Sequence, residues 1–308
     1  MSQKSPTRIV TKNPDNLVYA LSPENPPCAE ITPGETVIVE TEDCFSGRIK
    51  DTTDLFEVGG WENINPATGP IIVKGAEAGD TLAVDILDIK VHSPGVMAIV
   101  PEMGAAGDKI TETKTILVPI ANGLVHLPGD VMLECRPMIG VIGTAPKEGE
   151  VPTGTPGPHG GNMDSKVIAE GSTVYLPVNV PGAMLAMGDL HALMGDGEVL
   201  FCGVETAGTV KLETRLLKGI TLPCPIVETK DAIYAIWSEE TLDSASVTVV
   251  DKAVSLLTQA LKISYGEALC LLSAVGNLQI CQIVDPLKTV RMEIPKTLLK
   301  GKYPWAAE

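Results

Sequence analysis

The chain has 308 residues and a formal net charge of −16, with 44% hydrophobic, 20% charged and only 4% aromatic residues. A field of that sign repels phosphate backbones, which excludes nucleic acid as a partner, and the apolar content excludes a disordered chain. No run approaches about 18 apolar residues, so no membrane partner is expected. The polar start, Met1 to Asn16, lacks the apolar core of a signal peptide. Seven scattered cysteines without a CxxC read as free thiols in a reducing compartment, so a cytoplasmic location is expected.

In chain order, Glu35 to Phe45 alternates apolar and polar residues as a strand does. Gly69 to His92 reads as strand, tight turn, strand, with Gly75 and Gly79 in the turn. Lys114 to Pro146 and Ser172 to Glu205 continue as short strands, the apolar run Val199 to Val204 among them. The stretch from Gly208 alternates again, placing Val210, Leu212 and Thr214 on one face. Near residue 240 the period changes. Val250, Val254, Leu257 and Leu261 have helical spacing, with Asp243 or Ser244 as N-cap. Ser264 stands three residues before Glu267, a capping box that opens a second helix ending near Gly276. A last strand runs from Leu278 toward Pro286. The expected class is therefore α+β, predominantly β: sandwich- or barrel-like sheets with a C-terminal helical pair packed on one of them. Residues 1–308 read as one unit, divisible into a β subdomain 1–165 and a β-plus-helical subdomain 166–308.

The chemistry concentrates in three stretches. "GDLHALMGDGEVLFCGVE", Gly188 to Glu205, holds one of only four histidines. On a strand Asp189 and His191 share a face, where they can ligate one metal or act as a base and its orienter. Asp196-Gly197 offers a hairpin turn, with Glu198 after it. Alone, the stretch reads equally well as a surface hairpin with solvated acids. "GPHGGNMD", Gly157 to Asp164, adds His159, Asn162 and Asp164 in a glycine-rich loop that lets backbone approach a ligand. His159, Asp164, Asp189 and His191 together form an oxygen/nitrogen ligand set suited to zinc or another divalent ion. "VETEDCFSG", Val39 to Gly47, carries Glu40, Glu42 and Asp43, which also suit a charged edge strand. Glu205 ends an apolar run and can project into a cleft. His92 and His126 have bland contexts. A serine or cysteine nucleophile finds no support: there is no GxSxG, and the acids beside Cys44 blunt its thiol.

With these motifs in this order, the sequence resembles the acetamidase/formamidase family. The resemblance also covers "NPATGPIIVKGAEAGDTLAVDILDI", Asn65 to Ile89, and the helical end "GEALCLLSAVGNLQICQIVDP". It implies a β-rich metal-binding amidohydrolase that forms homo-oligomers and cleaves short aliphatic amides to acid and ammonia. Carried over residue by residue, it implies metal ligands among Asp43, His159, Asp164, Asp189 and His191, holding zinc or calcium. It implies Glu205 or Glu42 as the proton carrier and Asn162 as an oxyanion donor. Two other readings stay open: hydrolysis of another C–N bond, such as a cyclic imide or N-formyl amine, and a metal- or ligand-binding protein without turnover.

Overall fold

The structure, a computed structural model, describes residues 7–56, 63–303 and 305. The first six residues of the polar lead-in lie outside it. Two nine-stranded sheets dominate. The first runs, in spatial order, Arg8–Val10, Val37–Thr41, Gly208–Leu217, Thr81–Val91, Thr173–Pro177, Ile226–Glu228, Ala232–Glu239, Lys288–Pro295 and Asn277–Gln282. The second runs Gly160–Asn162, Met138–Gly143, Leu185–His191, Glu205–Thr206, Gly95–Ile99 and Lys114–Val118. Ala67–Val73 also pairs with Leu185–His191 and brings in Leu17–Val18 and Ala29–Ile31. Both sheets stay open.

The two sheets bury their facing sides in one apolar cluster. Val37, Val39, Leu82, Val84, Val210 and Leu212 of the first meet Ile71, Ile139, Ile142, Leu185 and Met187 of the second. Val210, Leu212 and Thr214 are all fully buried, as strand alternation requires. Each large side chain taken from water there is worth roughly 1.5–3 kcal/mol. The other side of the first sheet is covered by helix α1 (Leu242–Leu261) and helix α2 (Tyr265–Val275). Val249, Ala253, Leu256 and Leu257 of α1 pack on Ile233, Ala235, Val290 and Met292. The predicted capping box is present: Ser264 accepts from the Glu267 N–H, and Glu267 accepts from the Ser264 N–H.

Three expectations need correction. The strands either side of Gly75 and Gly79 do not form a hairpin. Ala67–Val73 joins the second sheet and Thr81–Val91 the first, so the turn carries the chain across the sandwich. Both strands are apolar enough to be covered on either side, and the short connection serves both arrangements. The N-cap of α1 is Thr241, whose side chain accepts from the Ser244 N–H at 3.1 Å, because the helix starts before the first strongly periodic valine. The run Val199–Val204 is not a strand. Val199 is 61% exposed, Phe201 has φ +87°, and pairing begins just after the run, where Glu205–Thr206 lies beside Leu185–His191. Lys288–Pro295, where Val290, Met292 and Ile294 alternate with Arg291 and Glu293, is a further strand of the first sheet that was not among those expected.

Candidate active site

The candidate site grows from Leu185–His191, a strand in the middle of the second sheet whose seven residues are all buried. His191 faces Met138 on one side and Glu205 on the other. Its Nε2 lies 3.2 Å from Glu205 Oε1 and 3.5 Å from Asp189 Oδ1. Asp164 Oδ1 and Glu198 Oε1 are each 3.9 Å from it. Four carboxylates thus surround one imidazole, each no more than 7% exposed. They border an acid-lined pocket of about 400 Å3, counting its open mouth, whose walls include Phe45, Phe56, Ile64 and Phe201. Asn162 and Asp285 also line it, and among the described residues no Lys or Arg does.

Local backbone explains how the acids converge. Asp164, Asp189 and Glu198 have φ of +42°, +57° and +45°, and two more lining residues, Asn65 and Phe201, have +51° and +87°. Such angles are uncommon outside glycine and cluster at functional sites. Asp189 therefore reaches His191 from an interrupted strand rather than by simple alternation. Gly140 makes the room. A Cβ there would lie 2.6 Å from Asp164 Oδ1 and closer still to Asp189 Oδ2. Asp196 does not enter the pocket. It takes both ends of the buried Arg291 guanidinium at 2.8 Å and Lys166 at 2.8 Å, which keep its carboxyl low despite burial. That clamp fixes the turn that delivers Glu198.

Burial governs the electrostatics. It pushes Glu205 up to about 7 against the pull of His191. Asp164 and Glu198 are raised well above the ordinary range, first by burial and then by neighbouring carboxylates. Burial alone would depress His191, but Glu205 and Asp189 override it and hold the imidazole well above its usual value. Burial and the nearby acids raise the Cys44 and Cys202 thiols well above theirs, which makes them poor nucleophiles.

The residues fit a divalent cation. Asp164 Oδ1, Asp189 Oδ1 and Glu205 Oε2 are buried without a hydrogen-bond partner. Native proteins seldom leave carboxylate oxygens so. Candidate ligand atoms of Asp164, His191 and Glu198 all lie within 4.8 Å of one another, as do those of Cys44, Asp189 and Glu205.

The remaining sequence-predicted residues sit elsewhere or play other parts. Glu42 pairs with Lys12 at 2.8 Å and does not line the pocket. Asp43 Oδ1 accepts from the Phe45 and Gly47 N–H groups, an Asx turn that sets Cys44 and Phe45 against the pocket. His159 is buried outside the cluster, held down to about 4 by burial, with Nε2 unpartnered. Its neighbouring glycines make room for the imidazole itself: a Cβ at Gly161 would stand 3.0 Å from Nε2. The Gly160 N–H is spent on the Gly157 carbonyl at 3.0 Å. Asn162 Nδ2 donates to Asp285 Oδ2 at 2.9 Å. Asp285, absent from the sequence reading, carries the signal that singled out Glu205: an acid closing an apolar run, "LQICQIVD".

A two-sheet α+β sandwich with a buried acid–imidazole pocket defines the class, and the comparisons name it. Residues 5–153 and 148–276 match the model of the Acetamidase/Formamidase family, and the chain belongs to that family. Similar solved structures include the acetamidase of Bacillus halodurans, at 44% identity and a TM-score of 0.91 over 95% of this chain and 98% of that one. A protein described as a predicted acetamidase/formamidase from Thermoanaerobacter tengcongensis is likewise 44% identical, with a TM-score of 0.92 over 96% and 98%. The formamidase of Methylophilus methylotrophus is 32% identical over 64% of this chain, which spans 63% of that protein's length.

Proposed function

We propose that the protein hydrolyses short aliphatic amides, formamide and acetamide among them, to carboxylate and ammonia with a bound divalent cation. The observation that carries this is the set of buried, unpartnered carboxylate oxygens around His191, in a family whose members are named for amide cleavage. Asp164, His191 and Glu198 would hold the cation. One imidazole and two carboxylates suit zinc, whereas the excess of carboxylate oxygen makes calcium the second choice. A cation bound there supplies Lewis acidity to the amide carbonyl and to water.

The chain's own residues supply the proton transfers. Glu205 Oε1 is anchored by the Gly203 N–H at 2.7 Å, while Oε2 has no partner. Oε2 is therefore the atom that takes a proton from water and returns it to the leaving nitrogen. Burial raises this carboxyl to about 7 in the cation-free protein, the direction that suits a group which both accepts and returns a proton. Asp189 Oδ1, 3.5 Å from the same His191 Nε2 that faces Asp164 and Glu198, would stand beside the cation as a further oxygen. Phe45, Phe56, Ile64 and Phe201 give the acyl group an apolar wall.

The test is ammonia release from formamide, acetamide, butyramide and benzamide. Release should occur with the two smallest and fall as the acyl group grows. Release from none of them, or turnover of a cyclic imide or N-formyl amine alone, contradicts the reading.

The same reading includes a homo-oligomer. Leu269 and Val275 of α2, with Leu278 and Ile280 on the adjoining edge strand, are 41–48% exposed and give an apolar face. Light scattering should give a mass above the monomer, and a monomer at micromolar concentration contradicts it.

A further inference from the structure

The side chain of Asn162 has one end engaged and one end waiting. The residue closes the strand Gly160–Asn162, is 3% exposed, and lines the pocket. Its Nδ2 donates to Asp285 Oδ2, while its Oδ1, also buried, has no hydrogen-bond partner. Asp285 Oδ2 takes the NH2 end of the amide and so leaves the carbonyl oxygen for another group. The backbone of Asp285 is itself held on both sides. Its N–H donates to Gln282 Oε1 at 3.0 Å, and its carbonyl accepts from Lys288 Nζ. A buried carbonyl held in one orientation without a donor points to a ligand that brings one.

We infer that Asn162 Oδ1 accepts an N–H of the substrate's carboxamide, and that Asp285 is the positioning residue that turns Asn162 to do so. The inference rests on the amide-hydrolysis reading and adds how the leaving nitrogen is recognised. Asn162 then reads the leaving group and is not the oxyanion donor expected from the sequence. A carboxamide brings two N–H donors, whereas a ketone or ester of the same shape brings none at that position. A site built around a fixed acceptor discriminates against the analogue without a donor, because the acceptor then stays unpaired.

The experiment compares acetamide with acetone, which has CH3 in place of NH2. Their affinities are measured as competitors of formamide hydrolysis and, independently of turnover, by calorimetry on the purified protein. The wild type should favour acetamide by at least about tenfold. Asn162→Leu and Asp285→Ala should bring the ratio close to one, with circular dichroism and metal content unchanged. Asp285→Asn, whose amide can either donate or accept, should fall between. A wild-type ratio near one, or a ratio preserved in Asn162→Leu, overturns the inference. Should Asn162→Leu not fold, an unchanged ratio in Asp285→Asn overturns the positioning role. Absence of amide hydrolysis altogether instead counts against the functional reading, and the calorimetric ratio still decides this one.

Discussion

Glu205→Gln should keep fold and metal yet lose at least about 100-fold in turnover, the low end of what general acid–base catalysis supplies. The amide keeps the shape of the carboxyl and its contact with the Gly203 N–H, but cannot accept a proton at Oε2. A pH effect of defined sign accompanies the loss. Glu205 sits near 7 in the folded, cation-free protein, against an ordinary 4.5. A carboxyl that binds its proton more tightly when folded stabilises the fold fully below about 4.5 and loses that contribution as pH rises to about 7. The variant has no such group. In chelator-treated samples its melting temperature relative to wild type should therefore climb between pH 4.5 and 7. A flat difference, or full turnover in Glu205→Gln beside a dead Glu42→Gln, moves the proton carrier to Glu42.

His191→Ala should abolish both cation binding and activity. The imidazole is the one nitrogen among the four surrounding carboxylates, with contacts of 3.2–3.9 Å to all of them. Losing a direct ligand should weaken the cation by more than the roughly 10–100-fold typical of losing its supporting partners. Calorimetric titration with zinc measures this, with His159→Ala as the comparison. His159 stands outside the cluster, so its variant should still bind. If His159→Ala loses the cation and His191→Ala retains it, the metal belongs to the glycine-rich loop instead.

Much of the fold was legible because its signals are local. Alternation in Gly208–Leu217 and the Ser264/Glu267 box depend on neighbours in sequence, and both are present as read. Partner choice is not local. Nothing in "GAEAGD" says that its two flanking strands enter different sheets, and apolar content alone made Val199–Val204 look like a strand. The site divides the same way. Asp164, Asp189, His191 and Glu205 announced themselves by residue type beside glycine or at the end of an apolar run. The structure brings these four together. Glu198 was visible but had no assigned part, because its burial depends on Arg291 gripping Asp196 from 95 positions away. Asp285 came from a segment read only for its strand and helix. Glu42, Asp43 and His159 had suitable chemistry, yet Lys12, an Asx turn and a glycine-lined niche take them. Composition cannot distinguish a ligand from a turn former.

The central claim is that the acids around His191 hold a divalent cation that amide hydrolysis requires. It is tested most directly by following ammonia release from acetamide in the purified protein, then after chelation and gel filtration, then after zinc or calcium is returned, with metal content measured at each stage. The account predicts about one cation per subunit, loss of activity with its removal, and recovery in step with its return. Full activity in protein carrying far less than one cation per subunit would contradict it.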